Sequence, residues 1–241
     1  MNKLIVFIFV FIFLLFVISE YILKKINNKY DGKIEIEGHS FKTTSLNNNP
    51  DIVYLTGFLT PDECNHLITE AQGSFTKSTT IGDPKSSGRT SYTCFLNSEK
   101  NLKDIMIKQI YKRIATYLMV DECQIEDLQV VRYKPGQKYD YHYDWFKNEK
   151  KEAHRKELKR GGQRIYTIFT YLNTLNEEGN NGSTCFKNLD ICAKPIEGNA
   201  VYWNNLKNGE GDLDTLHAGI APENGVKYGL NIWIRENCFI R

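Results

Sequence analysis

From Asp121 onward the chain breaks into short runs rich in Val, Ile, Tyr, Phe and Trp, at residues 128–134, 164–172, 199–204 and 229–235. Turn residues part them: Pro135-Gly136, Gly179 and Gly182, Gly209 and Gly211, and Asn224-Gly225. Runs this short read as strands, and strands punctuated this way suggest a β-sandwich or jelly roll. Helices come first. Thr60-Pro61-Asp62-Glu63 has the spacing of a capping box with proline at the first helical position. Cys64, Leu67, Ile68 and Ala71 then follow at i, i+3, i+4 and i+7, the period of an amphipathic helix. A second helix is expected over residues 102–118, with Leu102, Ile105, Ile110, Ile114 and Tyr117 on or near one face. The expected class is α+β, an all-β core with supporting helices on its N-terminal side, and no internal repeat is visible.

The N-terminal residues are different in kind. Leu4 to Ile18 is uninterrupted apolar sequence, and Tyr21, Ile22 and Leu23 follow Ser19-Glu20. A bilayer is spanned by about 20 apolar residues, whereas a secretory signal has a core of about 7–15 and a small-residue cleavage site. Ser19-Glu20-Tyr21 is a poor cleavage site. Residues 1–25 are therefore read as a transmembrane or signal-anchor helix, 26–50 as a polar linker with one short strand at 33–37, and 51–241 as the folded domain. Lys24, Lys25 and Lys29 follow the apolar run and only Lys3 precedes it, a bias that puts the body on the cytoplasmic side.

A net charge of +2 gives no global field for nucleic acid, and no such partner is expected. The six cysteines contain no C-x-x-C, which argues against structural zinc. Cys185 and Cys192 either flank a turn and pair in an oxidising compartment or are small buried hydrophobes. Asn181-Gly182-Ser183 is either a glycosylation sequon or plain turn chemistry. Residues 147–160 are dense in charge and precede Gly161-Gly162. They read as a solvated helix or loop, or as a flap over a site with the glycines as hinge.

Of the five histidines, His39, His66 and His154 lie in the linker, the first helix and the charged segment, where ordinary surface roles are expected. His142 and His217 lie among the strands. In a strand, residues i and i+2 share a face, so His142 and Asp144 project an imidazole and a carboxylate into one space. His217 completes a two-histidine, one-carboxylate set of the kind that leaves open positions on non-haem Fe(II). Lys227, ten residues after His217, can place a cation at the back of such a pocket. Taken alone, it is a solvent-exposed hairpin lysine.

Together "RYKPGQKYDYHYD", "YLN" before "GNNGSTCF", "DLDTLHAGIAPENGVKYGLNIWIRE" and, upstream, "GRTSYTCFL" resemble the catalytic core of the prolyl 4-hydroxylases. The resemblance covers residues 51–241. It implies a double-stranded β-helix (jelly-roll) fold and a procollagen-proline 4-dioxygenase-like activity. Such an enzyme uses Fe(II), 2-oxoglutarate and O₂, with ascorbate as rescuing reductant, and releases succinate and CO₂. It implies that His142, Asp144 and His217 hold iron. Lys227 would bind the far carboxylate of 2-oxoglutarate, with Tyr133 and Thr184 lining that pocket. Tyr139, Arg164 and Trp233 would contact a proline-rich or collagen-like peptide, and Arg89 and Ser91 would lie in a covering loop. It also implies the endoplasmic reticulum lumen, against the charge bias. The family's G-G-E-T stretch reads Asn181-Gly182-Ser183-Thr184 here, so its acid is replaced and its threonine kept.

Two other readings stand beside this one. The first is a 2-oxoglutarate oxygenase acting on another residue, such as lysine. The second is a catalytically silent, membrane-tethered jelly-roll binding protein. Monomer and homodimer are equally compatible with the sequence.

Overall fold

The computed structural model describes residues 31–81, 87–147, 151–175, 179 and 181–241. The apolar run Leu4–Ile18, and with it the anchor expected over 1–25, lies outside them. Among the described residues no helix is long and apolar enough to cross a membrane.

Two antiparallel sheets form the core. The larger has nine strands in the order Gly32–Ile36, His39–Asn48, Asp51–Thr56, Ala200–Asn204, Arg164–Tyr171, Lys227–Arg235, Gln129–Tyr133, Tyr92–Phe95 and Thr76–Lys77. The smaller runs Ile191–Ala193, Thr184–Phe186, His217–Gly219 and Tyr139–His142. Side chains alternate across each strand, so the large sheet feeds two cores. Val53, Leu55, Val130, Ile168, Leu230 and Ile232 pack under the helices. Val131, Tyr133, Phe169, Tyr171, Val201 and Trp203 face the small sheet and meet its Phe186 and Ala193. This is the expected jelly roll.

The helix Pro61–Ala71 starts where expected. Thr60 and Glu63 close a capping box, and Cys64, Leu67 and Ala71 are buried. The second expected helix is divided. Glu99–Lys103 ends at Asp104, whose side chain caps Ile105–Leu118 by accepting from the Ile107 amide. A short polar side chain that competes for backbone donors favours such a start.

The segment read as a linker is a correction. Residues 32–48 form the outermost pair of strands of the large sheet, and His39–Asn48 pairs with Asp51–Thr56. Phe41 and Thr43 are buried, while their neighbours are polar and mostly exposed. Two buried residues in ten are enough for this strand, and they left a polar composition.

Two disulfides join Cys123 to Cys238 and Cys185 to Cys192, leaving Cys64 and Cys94 free and buried. Burial pushes the Cys64 thiol up to about 12, so it is inert. The sequon reading is also corrected. Asn181 and Ser183 are buried, and Asn181 Oδ1 accepts from the Glu223 amide at 2.8 Å. The amide is spent on the fold and has no room for a glycan.

Candidate active site

Strand register brings the proposed ligands together. His217 lies directly opposite His142 across the small sheet, so two imidazoles separated by 75 residues of sequence have ring centroids 4.3 Å apart. Asp144 follows the end of its strand and turns inward. Its Oδ1 is 3.7 Å from His142 Nε2 and its Oδ2 is 3.8 Å from His217 Nε2. One ligand atom from each of the three lies within 4.8 Å of the others.

Both rings are aimed by their second nitrogen. His142 Nδ1 is 2.8 Å from the Asp140 carbonyl, and His217 Nδ1 is 2.8 Å from the Thr215 carbonyl. A carbonyl only accepts, so Nδ1 carries the proton and the Nε2 lone pair is free for a metal. Burial, then the neighbouring His217, pushes His142 down to about 3. Burial raises Asp144, but His217, His142 and Arg164 outweigh it and hold the carboxyl low. Two imidazoles and one carboxylate, with their donor atoms converging, are the donor set non-haem Fe(II) takes. The residues present fit the ion.

Lys227 sits at the start of the central strand Lys227–Arg235, opposite Tyr133. Only 1 % of its surface is exposed, so the hairpin-lysine reading is excluded. Its Nζ lies 5.2, 4.8 and 5.4 Å from the ring centres of Tyr133, Phe169 and Tyr171. Among the described residues no carboxylate pairs with it. Burial pushes it down to about 7. A buried, unneutralised ammonium in an aromatic cage calls for an anion, and the donor set fits a 2-oxo dicarboxylate. Thr184 is buried against the cage residue Tyr171, its amide donating to that hydroxyl at 3.3 Å. Burial raises the Tyr133 phenol and keeps it a donor.

A cavity of about 610 Å³ opens over His142 and Asp144 and is walled by Arg89, Tyr139, Arg164 and Trp233. Tyr139 stacks on His142 with ring centres 3.5 Å apart, and Arg89 lies 4.6 Å over the other side of Tyr139. Arg89 reaches Gln129 Oε1 at 3.0 Å. Its segment adds to the small sheet, where the Asp140 amide donates to the Gly88 carbonyl at 2.7 Å. Ser91, expected in the covering loop, is fully buried behind this wall, where its hydroxyl bonds Ser78 at 2.8 Å and takes Arg89 Nε at 3.4 Å. It supports Arg89 and does not line the cavity.

Sequence reasoning missed Glu126. It takes Arg164 through two bonds of 2.7 and 2.9 Å and meets Arg235 Nε at 2.7 Å. Arg164 lies 3.8 Å over Trp233. The charged segment contains a helix, one of the forms expected for it. Its helix Glu152–Lys159 puts His154 and Glu157 on the cavity, and Glu157 reaches Arg235 at 3.0 Å. A Cβ on Gly162 would stand 2.4 Å from Glu236 Oε2, and the Asn237 amide donates to the Gly161 carbonyl. Close packing, not a hinge, requires these glycines.

Residues 128–235 match the model of the 2OG-Fe(II) oxygenase superfamily. A putative prolyl 4-hydroxylase of Acanthamoeba polyphaga mimivirus is 32 % identical over 187 residues, covering 77 % of this chain and 74 % of that one. Prolyl 4-hydroxylase 1 of Arabidopsis thaliana is 33 % identical over 204 residues, covering 78 % and 70 %. The viral collagen prolyl hydroxylase of Paramecium Bursaria Chlorella virus-1, solved as a 2-oxoglutarate complex, superposes with a TM-score of 0.59 at 30 % identity, covering 76 % of this chain and 95 % of that one. With its converging His142, Asp144 and His217 on a jelly roll, the chain belongs to the prolyl 4-hydroxylase family of 2OG-Fe(II) oxygenases.

Proposed function

We propose that the protein is a membrane-anchored dioxygenase that uses Fe(II), 2-oxoglutarate and O₂ to hydroxylate peptidyl proline at C4. One observation carries the reading: three metal-competent side chains converge, and two of them, His142 and Asp144, line a cavity with aromatic walls. When bound, iron and 2-oxoglutarate supply the oxidising chemistry, converting C–H to C–OH with release of succinate and CO₂. His142, Asp144 and His217 hold the metal. Lys227 takes the far carboxylate of 2-oxoglutarate, with the Tyr133 and Thr184 hydroxyls beside it. Tyr139 and Trp233 line the cavity and are suited to contact a proline ring, as aromatic grooves are for extended proline-rich peptides. Arg164 and Arg89 hold those two rings in place from behind. Burial of the floor keeps water from the reacting C–H bond. Ascorbate serves as the reductant that rescues oxidised metal.

The domain is assigned to the lumen of the endoplasmic reticulum, tethered by residues 1–25. Two disulfides favour an oxidising compartment over the cytoplasmic side that the flanking lysines suggest.

The test supplies Fe(II), 2-oxoglutarate and ascorbate with proline-rich, collagen-like and lysine-containing peptides, and measures succinate and the oxidised residue by mass. Hydroxyproline is expected, and it is lost in His142→Ala. Hydroxylysine without hydroxyproline would move the substrate. Full activity in His142→Ala would overturn the site.

A further inference from the structure

The groups that aim the three proposed metal ligands are divided unevenly. His142 is aimed by a carbonyl of its own strand, two residues away. Asp144 and His217 are both reached from one fully buried residue, Asn205, just after the strand Ala200–Asn204. Asn205 Nδ2 donates to Thr167 Oγ1 at 2.8 Å, and Thr167 Oγ1 donates to Asp144 Oδ2 at 2.9 Å. On its backbone side, the Asn205 carbonyl accepts the Asp212 amide at 2.9 Å. Asp212 Oδ1 then caps the 3₁₀ turn Leu213–Thr215 through the Asp214 amide, its carbonyl takes Thr215 Oγ1 at 2.7 Å, and the Thr215 carbonyl aims His217 Nδ1.

The direction of the chain is fixed. Trp203 Nε1, which can only donate, takes Asn205 Oδ1 at 2.9 Å. The amide must therefore turn its NH₂ to Thr167. A hydroxyl has one proton, and with its oxygen accepting from Asn205, Thr167 delivers that proton to Asp144. Thr167 and Asn205 are both fully buried, so no water competes.

We propose that Asn205 is a positioning residue that orients two of the three metal ligands at once, Asp144 through Thr167 and His217 through the turn opened by Asp212. The inference rests on the metal reading of His142, Asp144 and His217, and the test separates the two.

Co(II) alone is titrated into the metal-free protein, and the affinity and the ligand-field spectrum are read. Wild type binds; failure to bind would overturn the metal reading itself. Thr167→Val keeps the side-chain shape and removes the proton donor. It is expected to weaken Co(II) by about 10- to 100-fold, the usual cost of losing an outer-shell partner, and to change the spectrum. Thr167→Ser restores both. Asn205→Leu weakens Co(II) at least as much, and the double variant loses less than the sum, because the two act through one chain of bonds. Co(II) affinity within twofold of wild type in Thr167→Val, or strictly additive losses, would overturn the proposal. Should Thr167→Val not fold, Thr167→Ala carries the same test. Failure of both to fold would assign Thr167 a structural role and equally overturn it.

Discussion

Two buried cations stand on neighbouring strands of the large sheet and are treated in opposite ways. Arg164 has its guanidinium bonded to both oxygens of Glu126 and laid over Trp233. Lys227 is as deeply buried, is ringed by Tyr133, Phe169 and Tyr171, and has no carboxylate partner among the described residues. Burying a charge costs several kcal/mol unless it is paired. At Arg164 the fold offsets that cost internally, so the arginine becomes a rigid wall. At Lys227 the cost is left standing, and a bound carboxylate can recover it. The position of the counter-ion thus separates a residue that shapes the cavity from one that waits for a ligand.

Breaking the comparison from the Arg164 side should have the largest effect. Glu126→Gln leaves two buried guanidiniums short of an anion and should lower the stability of the metal-free protein by about 3–5 kcal/mol. Denaturant unfolding measures it, and a change below 1 kcal/mol would show that Glu157 alone neutralises the cluster. From the other side, Lys227→Ala should raise the KM for 2-oxoglutarate by at least about 30-fold, the lower end for removing one partner of a buried charge pair. The KM for peptide should stay put, and an equal rise in both would mark Lys227 as structural.

The smallest effect is a pH dependence. Burial holds Lys227 near 7 against its usual 10.5. Between those values the folded lysine is neutral while the unfolded one keeps its proton. Its contribution to stability therefore rises with pH across that window, and the penalty is fully present below pH 7. Binding a carboxylate there must take up a proton, so 2-oxoglutarate affinity should fall by up to about tenfold per pH unit above 7. Lys227→Arg, charged throughout, should flatten the profile. An unchanged slope would detach it from Lys227.

The parts of this arrangement differ in how legible they were. His142, Asp144 and His217 could be picked out because strand period and order in the chain carry them, whereas Lys227 stood out only through the family resemblance, since alone it reads as an exposed hairpin lysine. The neutralising partner could not, because Glu126 stands 38 residues from Arg164 and 109 from Arg235 and carries no motif. The short strand expected at 33–37 is present at Gly32–Ile36, but its partner His39–Asn48 was hidden by its polar face, since only Phe41 and Thr43 turn fully inward. Asn205 was invisible for a related reason: an asparagine after a strand reads as a turn residue, and only its neighbours in space show that both ends of its side-chain amide are bonded. The sequon failed on the same ground, as a local pattern says nothing of burial.

The bond between Cys123 and Cys238 has one more consequence. It joins residues 115 positions apart, and the loop it closes carries His142, Asp144, His217 and Lys227. Topologically, the proposed metal and cosubstrate residues are beads on a single closed ring. A backbone cut anywhere between them leaves the fragments tied together. In the chain-entropy account, a loop near that length removes about 4–5 kcal/mol of freedom from the unfolded chain. The ligands thus begin their search for one another already inside the same knotless circle.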